Sequence, residues 1–233
     1  MTWTRKRAFT VVEAKEVLGL SRQRIVVTAG PTREYLDPVR FLSNPSTGKM
    51  GFAIAAEAAR RGFDVTLVAG PVSQKTPKGV ERIDVTSARE MLKAVKAAVR
   101  RGGKNGGAIP VLISSAAIAD WRPAKCSRQK LKKREMEGVL RLVRNPDVLK
   151  SVGRAARRIG FAAETTNVVA EAQRKCREKG LEFIVANDVT EKGSGFGTDT
   201  DRVVFVFPDG SVRRFPLMTK RGVARKILDE ISK

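Results

Sequence analysis

Histidine is missing altogether from this chain of 233 residues, which removes the usual general base near neutral pH and the commonest metal ligand. Chemistry here must rest on Lys, Asp, Glu, Asn and backbone amides. Two cysteines, Cys126 and Cys176, stand fifty positions apart with no CxxC partner, so neither a disulfide framework nor a zinc site is indicated, and both read as incidental thiols. Aromatic residues are only 6%, with one Tyr and two Trp, too few for the stacking platforms of single-strand binders, and no nucleic-acid recognition module is recognisable. No stretch approaches the roughly 20 apolar residues of a membrane span. The basic Arg5, Lys6 and Arg7 are followed by a segment broken by Glu13, Lys15 and Glu16, so no signal-peptide core follows and a soluble, cytoplasmic protein is expected.

Positive charge is what the chain has in excess. Its 46 basic and 24 acidic residues give +22, a balance that favours polyanionic partners or small anionic substrates. Nucleic acid is disfavoured by the aromatic count but stays as the competing reading. A hydrophobic fraction of 42% and a charged fraction of 30% are those of an ordinary globular protein.

Alternating strand and helix signals predict an α/β fold with a doubly wound, mostly parallel, Rossmann-like sheet, a C-terminal hairpin and a flexible basic flap. Residues 1–23 form a basic N-terminal extension with a short helix, where Thr10 and Glu13 have capping-box spacing; residues 24–233 form a single domain. Strands are expected at Arg24–Thr28, Asp64–Ala69, Val80–Val85, Val111–Ser114, Ile159–Ala163 and Phe183–Ala186. Helices are expected from Ser46-Thr47 to Gly62, from Ser87 to about Arg101, from an Asn145 cap with Pro146 in the first position, from Asn167 to Lys179, and from Lys220. Asp209-Gly210 marks the hairpin turn. Ligands of such sheets lie beyond the carboxyl ends of the strands, which directs attention to residues 29–47, 69–73, 115–138, 163–167 and 187–201.

Three stretches there carry candidate chemistry. Ser43 to Gly51, SNPSTGKMG, puts small residues and free amides at a helix start, a favourable place for phosphate. It is not a Walker loop, which needs Gly at 43 and Ser or Thr at 50, nor a GxGxxG turn, which argues against a nicotinamide-dependent reductase. A tight connection without ligand fits the spacing equally well, although Asn44 could both donate to and accept from a substrate. Ser114 to Asp120, SSAAIAD, lets a planar ligand approach small residues and ends in a carboxylate that could equally cap a turn. Seven basic residues between Arg122 and Arg134, among them Lys130, Lys132 and Lys133, form either a solvated face or a phosphate-seeking flap. The residues alone reach a nucleotide or phosphate site without choosing a reaction.

The stretch Val27 to Ser73, VTAGPTREYLDPVRFLSNPSTGKMGFAIAAEAARRGFDVTLVAGPVS, strongly resembles phosphopantothenoylcysteine synthetases, the phosphopantothenate-cysteine ligases of coenzyme A synthesis. The likeness continues through AAIADWRP at 116–123, QKLKK at 129–133, RNPDVL at 144–149, GFAAET at 160–165 and ANDV at 186–189. It implies attack of the 4'-phosphopantothenate carboxylate on the α-phosphate of CTP, with pyrophosphate released, and then displacement of CMP from the acyl-cytidylate by the amine of L-cysteine. Mg2+ accompanies the nucleotide, with no metal ligands assigned, and ATP is the alternative to CTP. The resemblance gives Asn44 the acyl-cytidylate and Lys130 its formation. Nucleotide contacts fall by the same likeness to Ser114, Ser115, Ala116, Asp120, Lys130, Pro146, Asp147, Val148, Leu149, Phe161, Lys175 and Lys179. A homodimer whose interface helps build the site is implied, as is a phosphopantothenoylcysteine decarboxylase as a separate protein or outside these residues. Arg144 stands where the resemblance leads one to expect Lys, and the glycine-rich Arg100–Gly107 departs from the compact connection expected there.

Overall fold

The computed structural model describes residues 23–102, 108–135 and 138–233. The expected N-terminal helix lies outside them. Eight strands make one sheet: β1 Arg24–Ala29, β2 Asp64–Ala69, β3 Val80–Asp84, β4 Val111–Ser114, β5 Arg157–Glu164, β6 Phe183–Asp188, β7 Val204–Val206 and β8 Val212–Arg214. Their spatial order is β3-β2-β1-β4-β5-β6-β7-β8, parallel from β3 to β6 and antiparallel for the last two. The two antiparallel strands are the predicted hairpin, whose turn is held by Asp209 accepting from the Ser211 amide at 2.8 Å.

Side-chain alternation explains how the sheet is covered. Ile25, Val27 and Ala29 of β1 face one apolar layer with Phe52, Ile54, Val223 and Ile227, while Val26 faces the other with Met91, Val95, Leu112 and Ala172. Helices α1 Lys49–Arg60 and α5 Lys220–Ile231 supply the first layer; α2 Ala88–Gly102, the short α3 Val148–Val152 and α4 Val168–Lys179 supply the second. A sheet covered on both sides needs strands apolar on both faces, which is why RIVVTA and VLIS read as near-continuous hydrophobic runs.

Order reverses between β1 and β4, so their chains leave the sheet in opposite directions and open a crevice at its carboxyl edge. Small polar side chains hold the mouth of that crevice. Thr28 Oγ1 accepts from the Ala116 amide at 3.1 Å, Thr32 Oγ1 accepts from the Ala119 amide at 3.0 Å, and the Ala117 amide donates to Gly30 O at 2.9 Å.

Three local expectations are corrected. Residues 32–45 are not a plain loop, because Arg33–Tyr35 pairs antiparallel with Phe41–Ser43. The helix expected to be capped by Asn145 begins later: Asp147 is its cap, accepting from the Lys150 amide at 3.0 Å, while the Asn145 side chain donates to Ala119 O at 2.8 Å. Pro146 therefore precedes the cap. The first helix, expected to start near Ser46-Thr47, begins at Lys49, after a Gly48 cap in the left-handed region at φ 77°.

Candidate nucleotide and acyl-transfer site

A cavity of about 540 Å³ opens at the switch between β1 and β4. One wall is the segment leading into α1. Its Gly48 cap offers no side-chain acceptor, so the first-turn amides stay available, and Gly48, Lys49, Met50 and Gly51 all line the cavity. A helix amino terminus of this kind favours anions. Asn44 lies on the same wall, half-buried, its Nδ2 donating to Ala117 O at 3.1 Å, which leaves its amide oxygen for a ligand.

Opposite lies the small-residue segment. Ser114, Ser115, Ala116 and Asp120 line the cavity, with Asp120 exposed. Pro146, Asp147, Val148 and Leu149 close another side, together with Phe161 from β5. Lys175 and Lys179 reach in from α4, one turn apart as expected, but each already faces a carboxylate. Lys175 Nζ lies 2.5 Å from Glu164 and Lys179 Nζ 2.8 Å from Asp147. Burial works against the charged form of Asp147, yet the Lys150 amide and Lys179 outweigh it and hold the carboxyl below its ordinary range.

Lys130 is the exception. It is exposed and does not line the cavity, so twelve of the thirteen residues named from sequence meet there and the thirteenth stays outside. The bonds that tie the flap near Lys130 include the Ser127 amide donating to Leu36 O at 2.9 Å and the Leu131 amide donating to Asp37 Oδ2 at 3.2 Å.

Sequence reasoning pointed to the loop 187–201 but assigned no site residue to its GSGFGTDTD stretch, residues 193–201, which forms a further wall. Gly195, Phe196 and Gly197 line the cavity, as do Lys49, Asn187, Asp201 and Lys220. Buried Asp201 accepts from Asn187 Nδ2 at 2.9 Å and Ser194 Oγ at 2.5 Å, and buried Lys220 donates to Gly195 O at 2.9 Å and Thr198 O at 2.7 Å. Burial pushes the Lys220 ammonium below its ordinary range, opposed by Asp201. Lys49 pins the same stretch from α1 by pairing with Asp199 at 2.7 Å. The run of glycines was the available signal, since only small residues allow such a loop to fold over a pocket.

Residues 20–233 match the family described as DNA/pantothenate metabolism flavoprotein C-terminal domain. The chain belongs to that family. Among relatives, the coenzyme A biosynthesis bifunctional protein CoaBC of Escherichia coli is 43% identical over 228 residues, covering 95% of this chain and 54% of the relative. CoaBC of Bacillus subtilis is 43% identical over 217 residues, covering 91% and 52%. The chain thus spans about half the length of the curated relatives it matches. The crystal structure of the C-terminal domain of CoaBC superposes with a TM-score of 0.74 at 41% identity, covering 91% of this chain and 95% of that one. A Cab2 mutant in complex with phosphopantothenate-cysteine shares the fold, with a TM-score of 0.73 at 14% identity, covering 94% and 89%.

Proposed function

We propose that residues 24–233 act as one catalytic domain that ligates 4'-phosphopantothenate to L-cysteine in coenzyme A synthesis, using CTP. The observation that carries this reading is the convergence of Asn44, the uncapped start of α1, the SSAAIAD segment and Lys175 with Lys179 in one cavity of a family member. Four lysines and three aspartates line that cavity, and Lys175 and Lys179 are placed to exchange their carboxylate partners for a triphosphate.

In the first step the lysines and α1 amides offset phosphate charge while the carboxylate attacks the α-phosphate, with Lys130 brought to the nucleotide by the flap. Asn44 then holds the acyl-cytidylate for the cysteine amine. Mg2+ arrives as part of the nucleotide substrate. Among the described residues no group of three or more Cys, Asp or Glu is placed to cage a metal, while exposed Asp120 offers the single carboxylate that a phosphate-borne Mg2+ commonly takes. The setting is cytoplasmic, the unit a homodimer, and the product passes to a phosphopantothenoylcysteine decarboxylase. No helix among the described residues is long and apolar enough to cross a membrane.

Pyrophosphate release is the test, measured with phosphopantothenate and either CTP or ATP, with and without cysteine. Release with CTP that needs no cysteine is the expected result. Activity with ATP only overturns the nucleotide assignment, and tight, steeply salt-dependent nucleic-acid binding with no pyrophosphate release favours the competing reading.

A further inference from the structure

A buried carboxylate outside the cavity ties the flap to the hairpin that leads to Asn44. Asp37 is fully buried, and it accepts both from its own turn and from the flap. Its Oδ1 receives the amides of Val39 and Arg40, both at 2.8 Å. Its Oδ2 receives Arg40 Nε at 2.9 Å, Arg40 Nη2 at 2.5 Å and the Leu131 amide at 3.2 Å. Arg40 Nη2 also donates to Leu131 O at 2.7 Å, so both polar groups of the Leu131 backbone are gripped from one side. Burial opposes the charged form of Asp37, yet the bonds from Arg40 and the three amides outweigh it and keep the carboxyl well below the ordinary range.

We infer that Asp37, with Arg40 as its strut, is a positioning residue that fixes the root of the flap and thereby the place of Lys130 for nucleotide activation. Lys130 is the neighbour of the gripped residue, so its backbone follows Leu131 directly. Asn44 is secured independently, through its own bond to Ala117 O and through Ser43 Oγ donating to Thr32 O at 2.8 Å. Loosening Asp37 therefore acts on the first chemical step and leaves the second. The inference rests on the assignment of Lys130 to activation made above.

Asp37→Asn preserves shape but turns donors against the Arg40 fork and the Leu131 amide. Ser127→Pro removes a second tether, the amide bond to Leu36 O together with the Ser127 Oγ bonds to Gln129, without touching the buried charge. For each folded variant, pyrophosphate release at saturating CTP is expected to fall about 10- to 100-fold, the cost of misplacing a catalytic group by about 1 Å. Transfer of separately prepared acyl-cytidylate to cysteine stays near the wild-type rate, and hydrogen exchange at Leu131 quickens in Asp37→Asn. Where Asp37→Asn does not fold, Ser127→Pro decides. Wild-type pyrophosphate release in the folded variants, equal loss in both half-reactions, or unchanged Leu131 exchange in folded Asp37→Asn overturns the inference. Lys130→Ala is run beside them: normal release by that variant overturns the Lys130 assignment itself, and no release by it with normal release by Asp37→Asn isolates the failure to Asp37.

Discussion

Asn44 and Lys130 are held in different ways, and the proposed chemistry asks different things of them. Asn44 is uncharged and fixed to Ala117 O, suited to orienting an intermediate. Lys130 is an exposed cation whose value lies in offsetting triphosphate charge. Lys130→Ala is therefore expected to abolish pyrophosphate release even without cysteine, with no intermediate formed. Asn44→Ala is expected to form acyl-cytidylate and pass it on slowly, with a deficit on the order of 10² to 10³ in the transfer rate, so that intermediate accumulates in quenched single-turnover experiments. Normal coupling in Asn44→Ala, or accumulation in Lys130→Ala, removes these assignments. A simpler contrast concerns the two thiols: burial pushes Cys176 up to about 11, whereas Cys126 is exposed on the flap. One fast and one slow thiol are expected toward an aromatic disulfide reagent in the native protein, with Cys176 reacting on unfolding; two equally fast thiols contradict the packing of α4.

At the scale of elements, the long strands were legible because burial on both faces makes runs such as RIVVTA continuously apolar, and the second helix because Ser87 accepts from the Glu90 amide at its start as the spacing predicts. The three-residue pairs were not, since Arg33–Tyr35 and Phe41–Ser43 are too short to show alternation. Asn145 and Asp147 are both good cap residues, and only the distant Ala119 carbonyl that engages Asn145 decides between them. Lys220 and Asp201 escaped notice for the same reason: their partners are set by how a glycine loop folds back, not by local spacing. Close approach of elements at the crevice is testable at Gly70, where an added Cβ meets Pro31 O at 1.7 Å. Gly70→Ala must push backbone away, at a cost of about 3 kcal/mol, or roughly 6–12 °C in Tm. An unchanged Tm rules out this packing of the β1 and β2 exits.

Glu57 anchors Arg61, which joins the end of α1 to α5, and gives this contact a pH dependence. The bonds from Arg60 hold its carboxyl down to about 2 against burial, helped by Arg61, which also reaches Asp229 at 2.8 Å. The unfolded chain takes up this proton nearer 4.5, so the contribution is complete above that pH and is lost as pH falls from 4.5 toward 2. At neutral pH Glu57→Gln is expected to cost about 1–2 kcal/mol, because Arg60 is largely solvated. The stability gap between wild type and Glu57→Gln, followed by urea unfolding, should close on acidification; a gap constant down to pH 2 shows that the ion pair does not contribute.

The whole molecule combines a net charge of +22 with several exposed large apolar side chains on and around one small arm. Trp121–Pro123 pairs with Leu142–Arg144 as a small arm, and the Arg33–Tyr35 strand lies beside it. On the arm Trp121 and Leu142 are exposed, and on the segments that adjoin these strands so are Leu140, Val139, Val39 and Phe41, Val139 to 82%. Repulsion between like-charged copies opposes association in general, so a stable homodimer needs one face where apolar burial exceeds that cost, and this flank is the face that offers it. It also adjoins Asp120 and the flap, as expected if the interface helps complete the site. Leu142→Glu places a charge at an exposed position of the arm, opposite Pro123 in the ladder. The wild-type protein is expected to sediment as a dimer at micromolar concentration and Leu142→Glu as a folded monomer with reduced ligase activity. A wild-type monomer, or a Leu142→Glu protein that remains dimeric and fully active, places any interface elsewhere.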